Sequence, residues 1–251
     1  MNVLSFSGGR TSAYMLAKYK DEIDLVVFCN TGKEAEGTLD FVRKCGEYFD
    51  KEIIWLEYNP TSVNKYDIVT FETASRNGEP FERLIHKNKF LPNRRMRFCT
   101  VEMKALTIKR YLKRGLKKKI DSVNMYLGIR KDEPNRYFKL KNTNRNGWEN
   151  TMPLYKDDVT KEFVLEFWKQ QPFDLNIHSH EGNCDLCFLK GLSKKVELLK
   201  EKPEIAKWWI EMESSINAKF HPGYSIEKVL EMSKTQMNIF EKDIECFCNI
   251  D

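Results

Sequence analysis

Residues 2–12 read Asn2-Val3-Leu4-Ser5-Phe6-Ser7-Gly8-Gly9-Arg10-Thr11-Ser12. A short apolar run ends in paired glycines and hydroxyl residues, and an amphipathic stretch from Thr11 to about Lys20 follows at once. That pattern predicts a strand feeding a helix through a tight turn. Glycines let the backbone turn and bring its N–H groups close to phosphate oxygens. The helix N-terminus adds partial positive charge, and Ser7, Thr11 and Ser12 add hydroxyl donors. A Walker A loop is excluded, because its Gly-x-x-x-x-Gly-Lys spacing is missing. Taken alone, the segment also fits an ordinary glycine-containing strand–helix turn.

Working outward, Asp24–Cys29 and Glu52–Glu57 are further apolar runs, separated by a helical pattern from about Ala35 to Phe49. Strand–helix–strand–helix–strand predicts parallel βαβ units with right-handed crossovers. Residues 58–98 are polar, aromatic and irregular, and read as a long functional loop with short helices. Val101–Lys119 reads as a helix and Ser122–Leu127 as a fourth strand ending at Gly128. From about Thr160 the patterns are helical, over 161–171, 192–200, 204–216 and 225–242. The expected fold class is α/β, a parallel sheet with flanking helices plus a helical C-terminal portion. The expected division is a nucleotide-binding domain over 1–155 and a helical region over 156–251.

Composition sets the outer limits. Of 251 residues, 41% are hydrophobic and 12% aromatic, enough for a sizeable core and too many for disorder. No apolar run approaches the roughly 18 residues of a membrane span, and no basic segment precedes an apolar stretch at the N-terminus. The expectation is a cytoplasmic protein with no membrane partner. Lys+Arg 42 against Asp+Glu 37 gives +5, a balance that suits anionic ligands without identifying a nucleic-acid binder.

Ser7-Gly8-Gly9-Arg10-Thr11-Ser12 resembles the Ser-Gly-Gly-x-x-Ser PP-loop of the adenine nucleotide α-hydrolase superfamily. Asn30-Thr31-Gly32-Lys33-Glu34, followed by Thr38, resembles the segment after the second strand in the phosphoadenosine phosphosulfate (PAPS) reductase family. Arg97-Phe98-Cys99-Thr100-Val101-Glu102-Met103-Lys104 is similar to that family's Arg-x-Cys-Thr-x-x-x-Lys segment. Gly128-Ile129-Arg130-Lys131-Asp132-Glu133-Pro134-Asn135-Arg136 is similar to its Gly-x-Arg-x-x-Glu-x-x-Arg loop. The resemblance implies an adenine nucleotide, ATP or a sulfonucleotide (PAPS or APS), with Mg²⁺ as an accompanying ion. Its binding residues would be Ser7, Gly8, Gly9, Arg10, Thr11, Ser12, Asn30, Thr31, Gly32, Glu34, Lys104, Gly128, Arg130, Glu133 and Arg136. Arg130 and Arg136 are spaced for bidentate contact with phosphate or sulfate oxygens. One departure matters: Thr11 stands where many ATP-cleaving relatives carry an aspartate that would help organise Mg²⁺.

Seven cysteines in a chain without a secretion signal read as metal ligands or reactive thiols rather than disulfides. Cys184-x-x-Cys187 has the spacing of two thiolates on one metal, and Cys246-x-Cys248 is a second close pair. Cys99 follows Arg94, Arg95 and Arg97, whose charges are expected to favour its thiolate. The resemblance extends to iron–sulfur relatives, in which cysteines at the positions of Cys99, Cys184 and Cys187 hold a [4Fe–4S] cluster. The fourth ligand would then be Cys246 or Cys248, or the fourth iron would be left open for a substrate or sulfide. A zinc site of Cys184, Cys187, Cys246 and Cys248 competes with that reading, and free redox-active thiols are a third. Cys99, Cys246 and Cys248 are the candidate catalytic thiols. His178, His180 and His221 are substitute ligands, and His86 reads as a lone loop histidine. Cys29, Cys45, Trp168, Trp208 and Trp209 read as core.

Lys109–Lys119 carries seven basic residues and no acid. With Arg94, Arg95 and Arg97 it would form a stripe over 94–119 for a nucleic-acid acceptor, the competing reading being a solvated helix face. A homodimer is compatible with these features. Two chemistries fit the resemblance. ATP adenylylates an acceptor oxygen with release of pyrophosphate and a bound sulfur displaces AMP, or a cysteine thiolate, Cys246 or Cys248, attacks the sulfur of a sulfonucleotide, expels the nucleotide and leaves a thiosulfonate from which a second thiol releases sulfite. The last residues, Ile244-Glu245-Cys246-Phe247-Cys248-Asn249-Ile250-Asp251, share Glu-Cys with the reductases' Glu-Cys-Gly-x-His motif but lack its Gly and His. From another class, a non-catalytic nucleotide- or nucleic-acid-binding protein with structural zinc also fits.

Overall fold

The apolar run at the N-terminus lies at the middle of the sheet. The computed structural model describes residues 1–178, 181–182 and 184–235. Strand β1 (Asn2–Phe6) pairs in parallel with β2 (Leu25–Asn30) on one side and with β5 (Asn124–Tyr126) on the other. β3 (Ile53–Tyr58) extends the sheet beyond β2, and β4 (Tyr66–Val69) closes that edge antiparallel. β6 (Glu149–Thr151) pairs in parallel with β5, giving the order β4-β3-β2-β1-β5-β6. The fold is mixed α/β with a mostly parallel six-stranded sheet.

Both faces of the sheet are covered, which is why its strands read as near-continuous apolar runs. On one face Leu4, Phe6, Val26, Phe28 and Trp55 pack with α1 (Arg10–Tyr19), α2 (Glu36–Tyr48) and α7 (Lys161–Lys169). On the other, Val3, Val27, Cys29 and Leu56 meet Ile108, Tyr111 and Leu112. Those three belong to a helical stretch of π-type Thr100–Ala105, α4 (Leu106–Arg110) and π-type Tyr111–Gly115. A third core joins α3 (Glu79–Asn88) to α8 (Leu192–Glu201), α9 (Ala206–Ile216) and α10 (Ile226–Lys234) through Phe81, Leu84, Val196, Trp209 and Val229.

The expected strands and C-terminal helices are present, with shifted ends. The segment 58–98 holds the strand β4 besides an expected helix, α3, and His86 lies on α3 rather than in a loop, 3.5 Å from Glu82 one turn away. The helix expected to reach Lys119 stops at Gly115, because Lys117 adopts a left-handed φ of 52° and Lys118 N–H turns back to the Leu112 carbonyl. α5 (Pro134–Lys141), the short α6 (Pro153–Lys156) and β6 lie where no element was expected. Helix α7 lies beyond residue 155, yet Val164 and Trp168 pack in the same core as α1. Trp168 and Trp209 are fully buried and Trp208 is half-buried. Cys29 and Cys45 are buried in β2 and α2. The expected helix beyond Thr235 lies outside the described residues.

Candidate functional site

Because β2 and β5 flank β1 while their crossovers leave in opposite directions, a crevice forms at the carboxyl end of β1, where open α/β sheets bind ligands. The Ser7–Ser12 loop lies there. Gly8 has φ 81°, and a Cβ on it would stand 2.7 Å from Thr38 Cγ2 on α2. Only glycine lets the loop turn and α2 close over it. The Ser12 hydroxyl donates to the Gly9 carbonyl at 2.9 Å and accepts from Ser7 N–H at 3.1 Å, so it holds the turn. Arg10 is directed at a different partner: Nε and Nη2 fork onto Asp174 at 2.7 and 3.0 Å, and Nη2 also reaches the Leu175 carbonyl.

The loop after β5 lies against this turn. A Cβ on Gly128 would be 3.4 Å from Ser12 N, which places this residue in van der Waals reach of the start of α1. Arg130 is 1% exposed; Nη1 donates to Thr11 Oγ1 at 3.0 Å while Nε and Nη2 fork onto Asp132 at 3.1 Å. Burial pushes the Asp132 carboxyl up, but Arg130 outweighs it and holds the group below its ordinary range. Glu133 accepts from Arg130 N–H and is ion-paired with Arg136. Each arginine expected to share one anion therefore already carries a carboxylate partner.

At the end of β2, Asn30 is fully buried and donates to Glu57 Oε1 at 2.6 Å and to the Ser75 carbonyl at 2.8 Å. Its side-chain oxygen accepts from Gly32 N–H at 3.1 Å. Glu34 Oε2 accepts from Thr31 N–H and Oγ1 at 2.9 and 2.8 Å. Glu34 Oε1 and Thr38 Oγ1 are buried without a hydrogen-bond partner. Burial raises the Glu34 pKa, against the opposing charge of Lys104. Sequence reasoning missed Glu57, Lys33 and Asp185. Lys33 Nζ lies 2.9 Å from Asp185 and 5.2 Å from the Trp208 ring centroid.

This ion pair joins the loop after β2 to the cysteines. Asp185 N–H donates to the Lys33 carbonyl at 2.8 Å, and Trp209 Nε1 donates to Asp185 Oδ1 at 2.7 Å. Cys184 Sγ lies 3.7 Å from Thr31 Oγ1, and Lys190 Nζ donates to the Cys184 carbonyl at 2.6 Å. Cys99 and Cys184 pack against the core that contains Cys187. The three thiols are close enough to perturb one another. Burial, then Cys187, pushes Cys99 up to about 11, and Lys104 opposes. Cys184 is raised by burial, Glu34 and Cys187. The expectation of a Cys99 thiolate favoured by Arg94, Arg95 and Arg97 is corrected: desolvation dominates, and Arg94 and Arg95 are exposed to solvent.

The donor chemistry of three soft thiols fits iron–sulfur or zinc. Their placement does not complete a site: among the described residues no group of three His, Cys, Asp or Glu could hold a metal ion. His180, Cys246 and Cys248 lie outside the described residues. His178 N–H donates to Glu181, and His221 stacks on Tyr224 at 4.0 Å. In the basic stripe, Arg110 pairs with Glu102 at 2.8 Å and Arg114 donates to the Val63 and Asn64 carbonyls. Lys113, Lys117, Lys118 and Lys119 are exposed.

A family model for the phosphoadenosine phosphosulfate reductase domain matches residues 1–176, which takes in all three loops at the sheet's carboxyl edge and stops short of Cys184. The chain is also similar to the uncharacterized nin region protein ORF290 of Escherichia phage lambda. The two are 33% identical over 206 residues, covering 77% of this chain and 68% of the phage protein. Among the described residues no helix is long and apolar enough to cross a membrane. With the motifs in order, the sheet topology that places them together and a match over more than half its length, the chain belongs to the phosphoadenosine phosphosulfate reductase domain family.

Proposed function

We propose that this chain binds an adenine nucleotide, ATP or a sulfonucleotide, at the Ser7–Ser12 loop and uses it for sulfur-related group transfer. The observation that carries this reading is the convergence of three loops on one sheet edge, fastened by Arg130 to Thr11 at 3.0 Å. Backbone N–H groups of the glycine turn and the start of α1 supply anion donors. Thr38 Oγ1, buried and unpartnered beside Gly8, is a further donor within the same wall. Ser7, Gly9, Thr11, Ser12, Gly128 and Arg130 would surround the phosphate or sulfate end. Asn30, Thr31, Gly32 and Glu34 shape the neighbouring wall, with Glu133 and Arg136 fixing the third loop.

At Thr11 the loop meets a guanidinium rather than a carboxylate. That favours direct anion contact over a Mg²⁺ bridge, and keeps the sulfonucleotide reading beside ATP. Cys99, Cys184 and Cys187, completed from outside the described residues, would hold an iron–sulfur cluster; in the competing reading Cys184 and Cys187 would hold zinc together with Cys246 and Cys248. A cluster would supply a place to carry or activate sulfur. Thr31 and Lys190 position Cys184, while Lys104 places positive charge beside Cys99 and Cys184.

The test is calorimetric titration of the full chain with ATP, PAPS and APS, followed by assays for pyrophosphate and sulfite. Saturable binding of one of them with turnover supports the proposal. Binding without either product selects the non-catalytic reading, and no binding of any adenine nucleotide overturns both. Iron, zinc and acid-labile sulfide after anaerobic purification decide the cysteines. Iron with matching sulfide, lost in Cys184→Ser, supports the cluster; one zinc without sulfide replaces it with a structural site.

A further inference from the structure

Charge is distributed unevenly along this chain. Residues 87–119 hold thirteen of its 42 lysines and arginines and one of its 37 acids, Glu102. The rest of the chain holds 29 cations against 36 acids, so the protein is acidic outside this segment and strongly basic within it. Glu102 is spent on Arg110 at 2.8 Å. Elsewhere on the surface many cations are neutralised: Arg43 by Glu47, Arg76 by Glu36, Lys131 by Asp158 and Lys228 by Glu231. Arg94, Arg95, Lys113, Lys117, Lys118 and Lys119 are exposed, and none of them pairs with a carboxylate among the described residues.

The fold lays these charges along one face. The helical stretch from Thr100 to Gly115 turns Ile108, Tyr111 and Leu112 onto the sheet, which leaves Lys113 and Arg114 in solvent. Before it stands the turn Asn93–Met96, held by Asn93 Oδ1, which accepts the N–H groups of Arg95 and Met96 at 2.9 and 3.0 Å. Leu91 is buried beneath this turn's start, and the Phe90 and Phe98 rings lie 6.4 Å apart on its two sides. At the far end Lys118 N–H returns to the Leu112 carbonyl at 2.9 Å, which folds the Lys117–Lys119 turn back against the helix. The end of α3 joins through Tyr58, with Lys87 Nζ 5.7 Å and Arg110 Cζ 5.9 Å from its ring centroid. Thr100–Gly115 alone spans roughly 24 Å, the length of about seven nucleotide steps along one strand.

The uncharged side chains decide between kinds of polyanion. Phe90 is 39%, Met96 54% and Val101 50% exposed, so large apolar groups stand in water around the arginine turn. Cations interleaved with an exposed ring suit a single strand, whose phosphates meet the charges while an unpaired base meets the ring. A duplex keeps its bases stacked and has no use for the ring. An anionic membrane would take a helix with its apolar side outward, and here that side is buried against the sheet. We infer that the face from the Asn93–Met96 turn to the Lys117–Lys119 turn is a docking surface for single-stranded nucleic acid, with its cations on the phosphates and Phe90 beneath a base. Cys99 lies in the same segment and packs inward against the core that contains Cys187, so the bound strand runs beside the thiols. Binding needs only this face; a role for the strand as sulfur acceptor rests on the sulfur-transfer reading of the site.

The experiment is fluorescence anisotropy of the full chain over a salt series, with labelled oligothymidylate, oligouridylate and a duplex, each about 20 nucleotides long. A single strand binds saturably and more tightly than the duplex, and the better of the two homopolymers identifies the sugar. Its affinity falls with salt at a logarithmic slope of about −3 to −4, the mark of about five neutralised phosphates. Arg94→Glu with Arg95→Glu, and separately Lys117→Glu with Lys118→Glu, each weaken binding at least about tenfold and flatten the slope. Phe90→Ala weakens the single strand about fivefold and leaves the slope unchanged. Lys44→Glu with Lys156→Glu makes the same change in net charge at exposed residues of α2 and α6, across the sheet, and leaves binding unchanged. Absence of saturable binding at low salt, an equal loss in that control, or a duplex bound as tightly as the single strand overturns the assignment. So does equally tight binding of polyglutamate or of phosphatidylserine vesicles. Titrations with ATP and PAPS in the absence of oligonucleotide report on the nucleotide reading separately, so either can fail alone.

Discussion

Arg130 Nη1 donates to Thr11 Oγ1 at 3.0 Å, joining residues 119 apart in sequence. The bond fastens the loop after β5 to the first turn of α1, on the two sides of the crevice at β1. Its other face forks onto Asp132, so one guanidinium sets the geometry of both loops.

Arg130→Ala should therefore damage both fold and binding. Removing a buried cation leaves Asp132 and Thr11 without their donor; Asp132 is 37% exposed, so solvent offsets part of the loss. A cost of about 2–4 kcal/mol is expected, lowering Tm by roughly 5–12 °C in scanning fluorimetry. Arg130→Lys should recover part of the stability but little of the nucleotide affinity, because a point charge cannot fork. An unchanged Tm for the alanine variant would show that the loops are held by other contacts.

Asp185→Asn tests the join between the β2 loop and the cysteines. Lys33 is 7% exposed at its side chain and would lose its counter-charge. Backbone amides near Cys184–Leu189 are expected to exchange about tenfold faster, reporting easier local opening. Hydrogen exchange with mass spectrometry reads this directly. Equal protection in both proteins would mean that Trp209 and Lys190 suffice to hold the loop.

Glu213 gives a pH dependence with a definite sign. Buried between α9 and α10, it accepts the N–H groups of Phe220 and Ile226 at 3.0 and 2.8 Å. Burial raises its pKa from 4.5, against those two bonds and the charges of Lys219 and Lys195. From 4.5 up to the raised value the folded state holds more protons than the unfolded one, so this group's contribution to stability falls as pH rises. Glu213→Gln does not titrate. The Tm difference between the parent and the variant should shift against the parent as pH rises above the ordinary carboxylate value of 4.5, and a shift in the parent's favour would contradict the burial argument.

The parallel core was legible in the sequence because strands buried on both faces leave uninterrupted apolar runs, as at Val3–Leu4 and Val26–Phe28. β6 was not legible: Glu149–Thr151 is three polar residues at an edge, defined by pairing with β5 rather than by a pattern of its own. The break at Gly115 escaped for a similar reason, since a left-handed Lys117 has no signature in composition. Trp208 reads as core from its apolar neighbours, yet it lines a cavity, because helical spacing does not say what faces a helix.

The sequence by itself determined the α/β order, the glycine turn and the family, since each rests on short-range spacing that the backbone must obey. Only the tertiary structure decided the charge states and partners within the site. Burial, not neighbouring arginines, governs Cys99; Asp174 takes Arg10, Asp132 takes Arg130, and Glu34 is left half-satisfied. Those outcomes depend on desolvation and on contacts between residues distant in the chain, and neither is written in local pattern.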